Sequence, residues 1–149
     1  MTLSNTYKPT VSAIIVNNDG KILITHNKSH PIKFWKFPQG GVEKGETEET
    51  AILREMMEEL GARDLKIVKK CLTKYRYEWP AEVQIKKGFL GPELTYFIIS
   101  YSDNANLTPD NNELDQTKWV DAYDLSNVFN EIPEFIDTLN KLISEISEK

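Results

Sequence analysis

The sequence predicts a single α+β domain in which most strands of the sheet precede a closing helix along the chain. A chain of 149 residues is long enough to bury one core of ordinary size. Short β-branched runs dominate its first part, a stretch of helix formers follows them, and a second amphipathic stretch lies near the end. The order of these patterns predicts a mixture of strands and helices in one unit, residues 1–149.

The first predicted elements are two strands joined by a turn. Residues 11–16 and 21–25 are apolar and β-branched, and Asn17-Asn18-Asp19-Gly20 separates them. A short Asn, Asp and Gly segment between two such runs is typical of a β-hairpin.

The first helix is predicted over residues 47–60. Thr47 can cap its start, helix formers fill it, and Gly61 follows its last residue. One arc of this helix is apolar and is predicted to pack into the core: Ile52, Leu53, Met56, Met57 and Leu60.

Three further strands and a second helix complete the predicted fold. The strands lie at residues 65–77, 94–101 and 117–120, and the helix at 133–146. Helical spacing places six apolar residues of the last segment on one inward face: Phe135, Ile136, Leu139, Leu142, Ile143 and Ile146.

Composition narrows the functional classes. With 23 acidic and 18 basic residues the net charge is −5, which argues against an extended nucleic-acid-binding surface but leaves room for a small phosphate ligand. No apolar run approaches the roughly 20 residues that span a bilayer. The start, MTLSNTYKPT, lacks the pattern of a secretory signal, and Cys71 is the only cysteine. We therefore expect a cytoplasmic protein that makes no membrane contact.

The first helix carries an unusual density of carboxylates. Glu55, Glu58 and Glu59 stand at i, i+3 and i+4 and share one face. A Mg²⁺ ion would relieve their repulsion, because it prefers oxygen ligands from a few carboxylates, water and phosphate. The alternative for an acidic run is a solvated helix face. Gly40 and Gly41 favour the metal, since a backbone without side chains can approach an ion or a phosphate.

The stretch from Gly40 to Ala62 resembles the Nudix box, G-x5-E-x7-R-E-U-x-E-E-x-G-U. Its matching residues are Gly40, Glu46, Arg54, Glu55, Met56, Glu58, Glu59 and Gly61. Ala62 departs from the pattern at an apolar packing position, where a larger aliphatic residue is usual. The resemblance implies an α/β/α sandwich around a mixed β-sheet and hydrolysis of a phosphoanhydride bond in a nucleotide.

The resemblance also implies roles for particular residues. Glu55, Glu58 and Glu59 correspond to the family's metal ligands, with the Gly40 carbonyl as a further ligand, for Mg²⁺ or Mn²⁺ as a substitute. Arg54 and Glu46 are interpreted as a structural ion pair that orients the loop on the helix.

Two glutamates are candidates for the general base that would take a proton from the attacking water. Glu58 lies inside the box, and Glu113 lies in the polar loop before Trp119. The alternative for Glu113 is an exposed loop carboxylate.

The flank of the box suggests a branch of the family. The segment FWKFPQGGVEKGE resembles that of RNA 5′ pyrophosphohydrolases and plant-type dinucleoside tetraphosphate hydrolases. Tyr7-Lys8-Pro9 resembles the branch's Tyr-Arg-Pro opening, which makes Lys8 a candidate phosphate contact. The segment GPELTYF at residues 91–97 departs from the branch pattern G-Q-x-Q-K-W-F.

Three more residues are candidate substrate contacts. Trp35 and Tyr77 could stack on a base, and Lys36 beside the box could meet phosphate. Each has a simpler alternative, since most aromatic residues belong to the core and most lysines to the surface.

Together these observations predict a magnesium-dependent pyrophosphohydrolase whose partner is a small nucleotide or an RNA 5′ end. The leading substrates are dinucleoside polyphosphates and triphosphorylated RNA ends. Hydrolysis of nucleoside triphosphates, ADP-ribose or nucleotide sugars is an alternative, as is a non-catalytic nucleotide sensor with the same fold. The sequence leaves the oligomeric state open.

Overall fold

A computed structural model describes residues 6–27, 35–102, 107, 114–130 and 132–147. The strands are β1 (Lys8–Val16), β2 (Ile22–Asn27), β3 (Trp35–Lys36), β4 (Gln39–Gly41), β5 (Leu65–Arg76), β6 (Pro92–Tyr101) and β7 (Leu114–Val120). The helices are α1 (Glu48–Leu60), α2 (Ala81–Lys87), α3 (Leu125–Val128) and α4 (Ile136–Ser147), with 3-10 turns at Ala122–Asp124 and Pro133–Phe135. No helix among the described residues has the length and apolar character needed to cross a membrane.

The described strands form one mixed sheet in the order β3-β2-β1-β6-β5, with β4 beside β1 and β7 beside β2. The central pair β1 and β6 is parallel, from Lys8 opposite Pro92 to Val16 opposite Ser100. All the other pairs are antiparallel.

Strand β1 has two partners on one edge, and this arrangement positions the site. It pairs with β2 only at Val16 opposite Ile22, whereas β4 occupies the same edge at residues 10–12. The two neighbours therefore diverge, and the glycine pair of β4 lies in the middle of the sheet rather than in a surface loop.

Helices cover both faces of the sheet. On one face, α1 packs Ile52, Met56 and Leu60 against apolar residues of β1 and β6 such as Ala13 and Phe97. On the other face, α4 and the residues before it pack against Ile14, Leu94, Tyr96 and their neighbours. The predicted α+β class and the α/β/α sandwich around a mixed sheet are confirmed.

Helix α1 begins and ends as predicted. The Thr47 hydroxyl accepts a hydrogen bond from the Thr50 amide at 3.1 Å, and Gly61 adopts a φ of 63° after the last turn. The predicted apolar arc is partly wrong, because Leu53 and Met57 remain 39% and 37% exposed. The side of the helix that faces the sheet is instead the one with Ala51, Ile52, Met56 and Leu60, all of which are fully buried.

The predicted turn between β1 and β2 is confirmed. The Asn17 side chain accepts hydrogen bonds from the amides of Asp19 and Lys21, and Gly20 has a φ of 77°. The predicted hairpin is short, since β2 then leaves β1 and pairs along its length with β7.

Five elements were not predicted from the sequence: β3, β4, α2, the 3-10 turn at Ala122–Asp124 and α3. Strands β3 and β4 have two and three residues and flank Pro38, so they carry no alternating pattern. Helix α2 has no buried residue, so its sequence lacks the helical spacing of apolar residues that would predict it. The closing helix was predicted correctly, and its six inward residues pack in the core as expected.

A carboxylate of α4 holds an irregular part of β5. Glu145 is buried, and it accepts hydrogen bonds from the amides of Leu72 and Thr73 at 2.8 and 3.0 Å, where β5 bulges away from β6. Lys69 lies 3.3 Å from the same carboxylate. Burial raises the pKa of Glu145, but the bonds from Thr73, Leu72 and Lys69 outweigh burial and lower the pKa to about 2.

We expect Glu145→Gln to reduce the free energy of unfolding at pH 7 by about 1–3 kcal/mol, because an amide cannot accept from both strand amides. The lowered pKa means that the carboxylate stabilises the fold fully above its unfolded pKa and loses this effect as the pH falls towards 2. Urea unfolding should show the gap between variant and wild type shrinking below pH 5. Asp137→Asn, at an exposed pair with Lys141, is the matched control and should change little. Equal stability of Glu145→Gln and wild type at pH 7 would contradict the assignment.

Candidate active site

The site begins with an ion pair that ties the loop before α1 to the helix. Arg54 donates from Nε to Glu46 Oε2 at 2.6 Å and from Nη2 to Glu46 Oε1 at 2.9 Å, and Nη2 also reaches the Gly41 carbonyl at 3.0 Å. The Arg54 hydrogen bond is the main cause that lowers the pKa of Glu46 to about 2. The predicted structural ion pair is confirmed.

The same guanidinium group connects two of the three predicted metal ligands. Arg54 Nη1 donates to Glu55 Oε1 at 3.1 Å and to Glu58 Oε1 at 3.0 Å. Glu58 is 52% exposed at its side chain, whereas Glu59 is only 5% exposed and lies at the core boundary. The structure thus brings Glu55 and Glu58 together and places Glu59 deeper. Within the described residues no three His, Cys, Asp or Glu side chains converge to hold a metal ion.

Gly40 lies directly against the Glu55 carboxyl group. A Cβ atom built on Gly40 would overlap Cδ, Oε2 and Cγ of Glu55, so a larger residue would displace this carboxyl group. The backbone of β4 and the Glu55 carboxyl group are therefore in direct contact.

Lys8 lies on the other side of the glycine pair. A Cβ atom built on Gly41 would be 3.1 Å from Lys8 Cε and 3.3 Å from Nζ. The Lys8 ammonium group thus lies beside Gly41, the last residue of β4. This position suits the phosphate contact that the sequence predicts for Lys8.

A cavity of about 320 Å³ opens next to β4. Its walls are largely aromatic and apolar: Phe37, Tyr75, Tyr77, Leu94, Tyr96, Phe129, Ile132 and Phe135. The rings contact one another, with 5.9 Å between the centroids of Tyr75 and Tyr77 and 4.9 Å between those of Tyr75 and Phe135. Such a cavity has the size and chemistry for a planar ring.

Polar groups line the same cavity and connect it to the box: Ser12, Lys36, Gln39, Glu78 and Glu134. Gln39 is the residue before Gly40 in β4. The cavity and the Glu55 carboxylate are therefore contacted by adjacent residues of one strand. Of the predicted substrate contacts, Lys36 and Tyr77 line the cavity beside Gln39, whereas Lys8 lies against Gly41.

Trp35 does not line this cavity. It borders a second, shallower groove of about 490 Å³ beside β7, and the Lys118 ammonium lies 5.7 Å from its ring centroid. Glu113, the second candidate base, lies outside the described residues.

Several cavity residues were not predicted from the sequence to belong to the site, namely Gln39, Glu78, Phe129, Glu134 and Phe135. They come from distant parts of the chain, and only the folded sheet with the segments packed on it brings them together. One local signal was available: Tyr75 and Tyr77 alternate along the YRYEW segment and so point to one side of the chain.

We expect Arg54→Lys to lower kcat/KM about 10–100-fold, because a lysine keeps the charge but cannot hold Glu46, Gly41, Glu55 and Glu58 together. The measurement is steady-state hydrolysis with a nucleoside polyphosphate, alongside a thermal melt. Arg63→Lys makes the same change at an exposed arginine and serves as the control. If both variants hydrolyse the substrate equally well, Arg54 does not organise the site.

The site combines carboxylates of α1 and the loop before it with an aromatic cavity. In an α/β/α sandwich, this combination is that of a nucleotide hydrolase. The chain belongs to the Nudix family, since the model of the NUDIX domain matches residues 6–139. The resemblance of the box to this family is confirmed.

Two similar proteins carry names that are consistent with this family assignment. The chain is 31% identical over 128 residues to the RNA pyrophosphohydrolase of Rickettsia canadensis (strain McKiel), covering 82% of this chain and 80% of the relative. It is 33% identical over 128 residues to the RNA pyrophosphohydrolase of Gluconobacter oxydans (strain 621H), covering 81% of this chain and 75% of the relative. The protein is a pyrophosphohydrolase, as predicted.

Solved structures share the fold. The dihydroneopterin triphosphate pyrophosphohydrolase of E. coli superposes with a TM-score of 0.72 at 19% identity, covering 95% of this chain and 99% of the other. A binary complex of the C. elegans Ap4A hydrolase gives a TM-score of 0.70 at 20% identity, covering 94% and 98%. At these identities the likeness concerns the fold alone.

Proposed function

We propose that this protein is a single-domain, magnesium-dependent hydrolase that cleaves a phosphoanhydride bond in a dinucleoside polyphosphate or at a triphosphorylated RNA 5′ end. One observation carries the proposal: consecutive residues of β4 reach both parts of the site, since Gly40 lies against the Glu55 carboxylate and Gln39 lines the aromatic cavity. A nucleotide has the same two parts, an anionic chain and a planar base.

The donor chemistry of the three box glutamates suits a divalent metal ion, and binding of the ion would draw together carboxylates that do not converge in the described structure. Their donors are oxygen atoms, as Mg²⁺ prefers, and the contact between Gly40 and Glu55 leaves space for no side chain. Nudix hydrolases generally need divalent metal ions. We assign Glu55, Glu58 and Glu59 and the Gly40 carbonyl as the ligands of Mg²⁺, with Mn²⁺ as a substitute.

A bound metal ion would neutralise phosphate charge and lower the pKa of a bound water. The residues of the chain supply the remaining steps. Lys8 holds a phosphate beside Gly41, and Arg54 keeps Glu55 and Glu58 in place. Glu58 takes the proton from the water that attacks phosphorus, because it is the more exposed of the two carboxylates on Arg54. Glu113 is the alternative base.

The base of the substrate enters the aromatic cavity. Tyr77, 40% exposed at the cavity wall, stacks on the base, and Lys36 contacts the adjoining phosphate or base edge. A substrate with a second nucleoside extends to the groove beside Trp35, whose indole ring offers a further stacking surface.

The names of the relatives support this substrate class. Two relatives at 31% and 33% identity are RNA pyrophosphohydrolases, and a structural neighbour is an Ap4A hydrolase. A net charge of −5 favours recognition of a small nucleotide or an RNA 5′ end rather than an extended nucleic acid. We propose that the protein acts in the cytoplasm.

The test is hydrolysis of a substrate panel with Mg²⁺, with products identified by mass spectrometry. The panel contains diadenosine tetraphosphate, triphosphorylated RNA, ADP-ribose, nucleotide sugars and nucleoside triphosphates. ATP with AMP from the dinucleotide, or pyrophosphate from RNA, would support the proposal. Selective cleavage of ADP-ribose, a sugar nucleotide or a triphosphate would replace the substrate assignment, and no cleavage would favour a nucleotide sensor.

A further inference from the structure

We infer that the aromatic cavity selects a guanine base, that Glu78 reads its donor edge, and that Tyr7 is the positioning residue that holds Glu78. The inference rests on the proposed function in that the cavity binds the base of the substrate. It adds which base is preferred and which residues decide the preference.

The aromatic walls cannot make this choice. Every nucleobase presents a π-face, so stacking on Tyr75, Tyr77 and Phe135 stabilises all bases to a similar degree. Selection requires polar groups that meet the base edge, because a site built to hydrogen-bond one edge strongly disfavours an edge that does not match.

Glu78 lines the cavity from an exposed position and accepts a hydrogen bond from Tyr7. The Tyr7 hydroxyl donates to Glu78 Oε2 at 3.1 Å, across 71 positions of the chain. Tyr7 is itself fixed, since the Arg76 guanidinium lies 4.5 Å from its ring centroid and the amide of Lys8 donates to the Gly91 carbonyl at 2.7 Å. A carboxylate offers about four lone-pair positions, so this one bond leaves acceptor capacity for a ligand.

The carboxylate matches guanine best among the bases. Guanine carries two adjacent donors on one edge, N1–H and the N2 amino group, and a carboxylate can accept both at once. Adenine places an acceptor beside its amino group, and uracil flanks its single N–H with two carbonyls. Glu134 adds a second acceptor to the same cavity, and the Lys36 cation suits the guanine O6 atom.

The charged residues around the cavity also determine the orientation in which the nucleotide binds. Glu78 and Glu134 repel phosphates from their part of the cavity, whereas Lys8 attracts them beside Gly41. The base edge therefore faces the two glutamates, and the phosphate chain leaves towards the box.

The first experiment measures binding of GMP, AMP and UMP by calorimetry in EDTA, so that no hydrolysis is needed. We expect GMP to bind about 10-fold or more tightly than UMP to the wild type. Glu78→Gln should remove about 10-fold of GMP affinity with little change for UMP. Tyr7→Phe should give a smaller loss that is also confined to GMP, since it frees the carboxylate without removing it. Glu82→Gln, an exposed glutamate of α2, is the control.

The second experiment compares hydrolysis of Gp4G with Up4U, and of pppGpG with pppUpU, in the presence of Mg²⁺. Equal affinities for GMP and UMP, or equal losses for all nucleotides in Glu78→Gln, would overturn the guanine inference even if hydrolysis is efficient. Selective binding of GMP without hydrolysis of any substrate would instead overturn the proposed function and leave the inference intact. A preference seen with only the dinucleotide or only the RNA would identify the source of the guanine nucleotide.

Discussion

Replacing Glu58 with glutamine is expected to lower kcat about 10²–10⁴-fold, the range for loss of a general base. The amide keeps the size of the side chain and can still accept from Arg54 Nη1, which bonds the carboxylate at 3.0 Å. It cannot take a proton from water, and it is a weaker ligand for a hard cation. Circular dichroism and thermal melting should therefore match the wild type while hydrolysis is lost.

Glu43→Gln is the matched control for this prediction. Glu43 also lies near Arg54 Nη1, at 3.6 Å, but its side chain is 69% exposed, and it lies outside the proposed ligand set. We expect its kcat to stay within a few-fold of the wild type. Full activity of Glu58→Gln would exclude Glu58 as base and ligand and would direct attention to Glu113.

Gly40→Ala is expected to reduce kcat about 10²-fold, since the added methyl group would occupy the position of the Glu55 carboxyl group. Either the carboxylate moves away from the loop, or β4 shifts relative to α1. Both changes disturb the contact between β4 and Glu55. Steady-state kinetics over a range of Mg²⁺ concentrations should also show a higher metal requirement.

Gly41→Ala provides a graded comparison for the same strand. Its added methyl group would meet only the flexible end of Lys8, at 3.1 Å from Cε, and that side chain can move. We expect a higher KM, from a displaced phosphate contact, with kcat reduced less than about 10-fold. Similar kinetics for the two variants would show that the contact between Gly40 and Glu55 has no special role.

Local features of the site followed from the sequence. The cap at Thr47, the end at Gly61 and the pairing of Arg54 with Glu46 were all predicted, and the structure contains each of them. These features depend on spacing along one helix and the loop before it, where neighbours in sequence are neighbours in space. The box spacing also indicated the family correctly.

The depth of each glutamate was decided by tertiary packing. Glu55, Glu58 and Glu59 share one helix face in the sequence, yet Glu58 is exposed and Glu59 is nearly buried. Helical spacing predicts on which side of the helix a residue lies. How far that side is buried depends on where the helix packs against the sheet.

The cavity was likewise decided by the fold. Phe37, Tyr75, Tyr96, Phe129 and Phe135 come from five different segments, and they meet because β5 pairs with β6 and the segments after β7 pack against that face of the sheet. Contacts such as Tyr7 with Glu78 and Leu72 with Glu145 join residues more than 70 positions apart. The sequence by itself therefore determined the helix, its ion pair and the class of chemistry, because these depend on short-range spacing. The tertiary structure alone decided which aromatic and acidic side chains surround the cavity, because long-range strand pairing brings them together.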